Sequence, residues 1–203
     1  MDIKQIVTPQ YGTNCYLIEN EDSAAVIDPG EETAEIISFA EEQKEKPNKL
    51  IILTHCHFDH IGGVEAVKNI WNSPVVIAAN EAEGLIDNRI NLSGYWTSRA
   101  ISIIPDITVV GGDELKLGAD TFSVIETPGH TKGSVCYLCG NMLFAGDTLF
   151  RLSVGRSDLP TADPAALISS LNKLMTLDEN ITVLSGHGPK TTIGFEKLNN
   201  PYF

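Results

Sequence analysis

The stretch Thr54-His-Cys-His-Phe-Asp-His60 decides how this sequence is read. It follows the apolar run Leu50-Ile-Ile-Leu53 and packs three histidines and a carboxylate into a single turn of chain. On an extended segment, residues two apart point to the same side. His55 and His57 can therefore grip one ion, while Cys56 between them turns away into packing. Asp59 and His60, at the turn into the next helix, can reach a second ion. Imidazole and carboxylate without thiolate suit zinc, iron or manganese rather than a soft-metal site. A lone histidine is more often a packing residue than a ligand, but this chain has 5 histidines and three share one window. The others are His130, in Thr127-Pro-Gly-His-Thr-Lys-Gly-Ser134, and His187, in Ser185-Gly-His-Gly-Pro189.

Each histidine group comes just after a short apolar run: Leu50-Ile-Ile-Leu53, Phe122-Ser-Val-Ile125 and Ile181-Thr-Val-Leu184. A fourth run, Met142-Leu-Phe-Ala145, leads into Gly146-Asp147. Sites in α/β proteins form beyond the carboxyl ends of strands, so four strands can deliver all these groups to one edge. Elsewhere the pattern alternates strand and helix. Helices are expected over Thr33–Glu42, from His60 to about Asn69, over Glu81–Ile86 with Asn80 as cap, over Pro164–Leu174 capped by Asp163, and over Ile193–Leu198. Residues 87–102, with Tyr95 and Trp96 adjacent, exceed a simple connection and are expected to border a substrate entrance. Strands followed by helices in each half predict an α/β fold, two packed sheets with helices outside, in one domain over residues 1–203.

The charge balance narrows the function classes. With 14 basic and 27 acidic residues among 203, the net charge is −13, and no local basic stripe offsets it. That argues against a binder of nucleic-acid backbone. No apolar run approaches the ~18 residues of a membrane span. The start, Met1-Asp2-Ile3-Lys4-Gln5, lacks the basic region and apolar core of a signal peptide, so a cytoplasmic location is expected. The 4 cysteines form no disulfide framework. Cys136 and Cys139 lie three apart in a strand-like run and so face opposite ways, which reads as packing rather than metal binding.

His55, His57, Asp59, His60, His130, Asp147 and His187, in that order, resemble the HxHxDH–H–D–H set of the metallo-β-lactamase fold superfamily, and the match spans essentially the whole chain. More narrowly, Gly146-Asp-Thr-Leu-Phe150, Ser153-Val-Gly-Arg-Ser-Asp-Leu-Pro160 and Gly188-Pro-Lys-Thr-Thr-Ile-Gly194 resemble small glyoxalase II-like hydrolases. The resemblance implies a four-layer αββα sandwich and two divalent metal ions, zinc foremost, with iron or manganese as alternatives. It implies that His55, His57 and His130 hold the first ion, that Asp59, His60 and His187 hold the second, and that Asp147 bridges them. Full-length glyoxalase II proteins add a helical C-terminal domain that helps bind glutathione. This sequence ends at Phe203, soon after the last expected ligand, so loose selectivity for the thiol carrier is expected.

Two divalent ions a few ångströms apart lower the pKa of water toward neutrality, and the hydroxide so formed can attack a thioester or ester carbonyl. No Gly-x-Ser-x-Gly elbow offers a side-chain nucleophile. Asp59 is the candidate catalytic residue for proton handling. Lys132, Arg151 and Arg156 are candidates to meet an anionic substrate, with Arg156 and Asp158 also readable as an ion pair. The function expected is hydrolysis of hydroxyacylglutathione-type thioesters. The alternatives are a persulfide dioxygenase-like enzyme with one iron, or a lactonase or other ester hydrolase on the same scaffold.

Overall fold

Apolar residues on the central strands alternate between two destinations, and that alternation builds the layers. In the computed structural model, which describes residues 1–203, the first sheet comprises β1 (Asp2–Val7), β2 (Asn14–Glu19), β3 (Ser23–Ile27), β4 (Asn48–Ile52), β5 (Val75–Ala78) and β6 (Ile107–Val109), in that spatial order. Strands β1 to β3 pair antiparallel, and β3 to β6 pair parallel. The second sheet begins as an antiparallel ladder of β7 (Glu114–Leu117), β8 (Asp120–Glu126), β9 (Val135–Cys139) and β10 (Met142–Gly146). A small hairpin follows, β11 (Leu149–Phe150) with β12 (Ser153–Val154). Strand β13 (Thr182–Ser185) then joins β10 in parallel, and β14 (Thr191–Thr192) completes that edge.

Tyr16, Ile18, Ile27 and Ile52 of the first sheet meet Phe122, Val124, Tyr137 and Phe144 of the second in a shared core. Their sequence neighbours Leu17, Val26 and Ile51 point the other way. They pack with α1 (Ala34–Gln43), α2 (Phe58–Ile61), α3 (Val64–Trp71) and α4 (Ala82–Ile86), through Ile36, Ile61, Val67 and Leu85. A short α5 (Ser93–Trp96) lies in the long connection before β6. On the far side, Leu143, Ala145 and Val183 pack with α6 (Pro164–Leu174) and α7 (Ile193–Asn199). Two faces per sheet, all covered, make the four-layer αββα sandwich. Cys136 falls in the outer layer and Cys139 in the inter-sheet core, as a spacing of three on a strand requires. All four cysteines are buried and unpaired.

Phe144 is the keystone of the inter-sheet layer, fully buried, with ring centroids 5.4 Å from Tyr16 and 6.0 Å from Phe122. Phe144→Ala is expected to cost about 3–5 kcal/mol, through lost transfer energy and a cavity that facing strands cannot close. Urea unfolding of samples matched in metal content would check this. A cost below ~1 kcal/mol would mean that neighbouring side chains collapse into the gap.

Helix ends follow local chemistry. Thr33 caps α1 by accepting from the Ile36 N–H, and Asp163 caps α6 by accepting from Ala165 and Ala166, with Pro164 at the first position. The helix expected from His60 to about Asn69 is interrupted at Gly62-Gly63. These glycines lie directly against the backbone of Pro29, Gly30 and Glu31, where a Cβ would not fit. Asn80 does not cap the next helix. It sits in a 3₁₀ turn, Ala79–Glu81, and α4 starts at Ala82. The turn is pulled inward because the buried Glu81 carboxylate accepts the backbone N–H groups of Cys56 and Gly133, each at 2.8 Å. Strand β1 escaped the sequence reading because it is an edge strand with only Ile3 and Ile6 partly covered.

Candidate metal centre

The carboxyl ends of β4, β8, β10 and β13 converge on one edge of the sandwich. Past β4 the chain stays extended through His57 and then turns into α2, which places His55 and His57 before the turn and Asp59 and His60 on it. His130 comes from the loop after β8, Asp147 directly after β10, and His187 two residues after β13. Gly186 lies against Asp147 and His60 so closely that a Cβ would displace them. Glu81 ties the His55–His60 loop to the His130 loop through its two backbone contacts. All seven sequence-expected residues therefore meet.

Their ligand atoms fall into groups. His55, His57 and His130 form one group of mutually close nitrogens, and Asp59, His60 and His187 form another. His57 Nδ1 and His130 Nε2 are 2.9 Å apart. His187 Nε2 lies 3.2 Å from Asp59 Oδ2. Asp147 stands between the groups, with Oδ1 3.4 Å from His60 Nε2 and Oδ2 3.6 Å from both His130 Nε2 and His187 Nε2.

The opposite ring edges are held by acceptors. His60 Nδ1 donates to Asp28 Oδ2 at 3.0 Å, His130 Nδ1 to the Arg156 carbonyl at 2.8 Å, and His187 Nδ1 to the Gly12 carbonyl at 3.2 Å. A neutral ring that spends its proton on Nδ1 presents a lone pair at Nε2, the form a metal needs. His55 Nε2, His60 Nε2 and Asp147 Oδ1 are buried and have no hydrogen-bond partner in the protein, as is His57 Nε2 on the far edge of its ring. Leaving such atoms unpaired costs about 1–3 kcal/mol each. Converging lone pairs satisfied by nothing in the chain fit divalent cations. Asp28 is close enough to His55 and His60 to form a third group. Its oxygens, however, already accept from Thr54 and His60, so it orients rather than ligates.

Electrostatics agree with this donor set. Burial, then the rings of His60, His130 and His57, push His55 well below its ordinary pKa. Burial and then His130 push His57 down to about 3. Both are thus neutral and free to donate. Burial alone would lower His60 too, yet Asp147, Asp59 and Asp28 hold its proton well above the ordinary range. Burial opposes ionisation of Asp147, but His60 and the other rings keep it far below the usual carboxylate range. Three carboxylates around these rings favour positive charge, which the His60 proton supplies and which bound cations would supply in its place.

A cavity of about 410 Å³ opens above the centre, floored by His57, Asp59, His130, Asp147 and His187 and walled by Leu92, Trp96, Phe150, Val154 and Leu159. A larger cleft of about 710 Å³ lies beyond Phe58 and Trp96 and carries Glu31, Glu32 and Glu65 but none of the histidines. The chemistry belongs to the smaller cavity because only it exposes ligand atoms. Of the cations expected to meet a substrate, Arg156 lines this cavity while paired with Asp158 at 2.7 Å. Lys132 is turned away to Glu83 at 2.6 Å, and Arg151 lies over the Phe195 ring. Neither reaches the cavity wall, because nearer partners hold them.

In the 87–102 segment, Trp96 stacks on Phe58 at 6.4 Å and lines both cavities, whereas Tyr95 is 69% exposed and lines neither. Trp96→Ala is expected to change KM for a substrate bound in the smaller cavity by roughly 2–12-fold, the equivalent of ~0.5–1.5 kcal/mol for an aromatic contact. Metal content should stay intact, and Tyr95→Ala should be silent. Steady-state kinetics on both variants would check this, and equal effects would mean that the loop acts only through its fold.

Residues 8–187 match the metallo-beta-lactamase superfamily. The chain belongs to that superfamily, whose fold and His/Asp clusters imply divalent metals and an enzyme that works on small molecules. Among its relatives is the hydroxyacylglutathione hydrolase GloC of Haemophilus influenzae, 34% identical, with 100% of this chain and 98% of that protein covered. A crystal structure of BLEG-1 B3 metallo-beta-lactamase is 41% identical with a TM-score of 0.90, covering 99% of each chain. A crystal structure of TTHA1623 in a di-iron-bound form is 33% identical with a TM-score of 0.87, covering 98% of this chain and 100% of that one.

Proposed function

We propose that this chain, working as one hydrolase domain, cleaves thioesters of the hydroxyacylglutathione type with two divalent ions, most naturally zinc. The observation that carries the reading is the pair of three-atom ligand groups meeting over Asp147 at the floor of an apolar-walled cavity. His55, His57 and His130 would hold the first ion and Asp59, His60 and His187 the second, with Asp147 available to both. Ions bound there would supply a nucleophilic hydroxide at neutral pH and polarise the carbonyl under attack. The protein does the rest. Asp59, fixed by the Thr13 hydroxyl donating to Oδ2 at 3.2 Å, takes the reaction's proton. The apolar walls exclude water and seat the acyl group, and Arg156, neutralised by Asp158, adds little pull on anions. Likeness to GloC along the whole chain supports the thioester. Four unpaired buried thiols suit the reducing cytoplasm.

The likeness to a B3 metallo-beta-lactamase raises a second substrate, the β-lactam amide. Both are tested on protein of measured metal content with D-lactoylglutathione, the same acyl group on a small thiol, a carboxylic ester and a β-lactam. The expected order puts thioesters ahead of the β-lactam by more than roughly tenfold in kcat/KM, above ~1.4 kcal/mol. The two thioesters should differ by less than that, since the Glu31, Glu32 and Glu65 side of the entrance offers glutathione's carboxylates no attraction. A faster β-lactam would overturn the thioester reading. A fixed content of one iron with oxygen uptake would instead indicate a persulfide dioxygenase-like enzyme.

A further inference from the structure

Behind the centre lies a carboxylate that neither ligand group contains. Asp28 follows β3 with a left-handed backbone, φ 51°, although proline comes next and the residue is only 2% exposed. Such a conformation costs a residue with a side chain about 1–3 kcal/mol and persists where the surroundings demand it. Here the demand comes from hydrogen bonds. Oδ1 accepts the Thr54 backbone N–H at 2.8 Å. Oδ2 accepts both the Thr54 hydroxyl at 2.6 Å and His60 Nδ1–H at 3.0 Å. Thr54 Oγ1 is in turn 3.1 Å from His55 Nδ1.

Counting protons gives the consequence. A hydroxyl has one hydrogen. Thr54 spends it on Asp28, so its oxygen can only accept from His55, and His55 Nδ1 must carry the proton. The same carboxylate oxygen holds the proton of His60 on Nδ1. Both rings therefore turn Nε2 forward, free on His55 and on His60 freed once a cation takes the place of its second proton, and these are two of the buried atoms that lack a partner in the protein. His55 and His60 belong to different ligand groups.

We propose that Asp28 is a positioning residue for both metal sites at once, setting the tautomer of His60 directly and of His55 through Thr54. One carboxylate oxygen thereby couples the two ligand groups from behind, opposite the bridge that Asp147 makes in front. The coupling rests on the two-ion reading above, whereas the tautomer assignment does not.

The experiment is histidine ring ¹⁵N NMR on zinc-loaded protein, together with metal affinities from chelator competition. Wild type should show hydrogen-bonded Nδ1–H signals from both His55 and His60. Thr54→Val should perturb the His55 signal alone and weaken the first site by about 10–100-fold, with Thr54→Ser restoring both. Asp28→Asn, which keeps the size of the side chain and tolerates the left-handed backbone, should perturb both signals and weaken both sites by a similar factor. If Asp28→Asn lowers only Tm and leaves both affinities within about twofold, Asp28 is merely structural and the proposal is overturned. If Asp28→Asn does not fold, Thr54→Val still decides, because an unmoved His55 signal with unchanged affinity overturns the relay. A wild type that takes up one ion ends the two-ion reading and the coupling with it, while the two ring signals still test the tautomers.

Discussion

Asp147→Ala should strip metal from both ligand groups and lower turnover by roughly a thousandfold or more, since the ions contribute several kcal/mol to the transition state. The physical basis is position. The carboxylate reaches His60 on one oxygen and both His130 and His187 on the other, at 3.4–3.6 Å, so it stands between the two groups. His187→Ala is the control. That ring contacts only Asp59 and Asp147 through Nε2 and is 30% exposed, so its loss should weaken the second ion and leave the first in place. Metal analysis after exhaustive dialysis reads both. Equal loss of both ions in the two variants would sink the proposed division of the site.

The second large effect is expected from Asp59→Asn. The amide keeps the shape of the side chain and can still meet Thr13, but it cannot accept a proton. If Asp59 handles the reaction's proton, kcat should fall by about 10²–10⁴-fold. The first ion should be retained, because His55, His57 and His130 do not depend on Asp59 for their placement. Single-turnover rates at matched metal content separate the chemical step from lost metal. Turnover within about tenfold of wild type would leave Asp59 a ligand at most.

Much of the fold was legible because its strands are buried on both faces and read as apolar runs of the right length. Pro164–Leu174 has the boundaries its pattern implies. The unread elements lacked such a signal. Strand β1 is an edge, and β11, β12 and β14 are two residues long, too short for any period. The break between α2 and α3 depends on a backbone contact some thirty residues away, which no helical window contains.

The clustering of the seven candidate ligands was legible for a different reason. Histidine and aspartate just past apolar runs carry their chemistry in their identity, and strand ends gather at a sheet edge whatever the loops do. Residue type and spacing thus determined which groups could bind metal and on which elements they would sit. Only the tertiary structure decided how each group is held and what surrounds it. Asp28 just past β3, Glu81 at the start of an expected helix and Thr13 just before β2 carry no sequence signal of this, yet each supports a ligand or its loop across 25 to 52 residues of chain. The acceptor for His130 is a backbone carbonyl, which any residue could offer. Lys132 and Arg151 looked available and are held elsewhere. Hydrogen-bond partners are chosen by proximity in space, and a partner distant in sequence leaves no periodic trace along the chain.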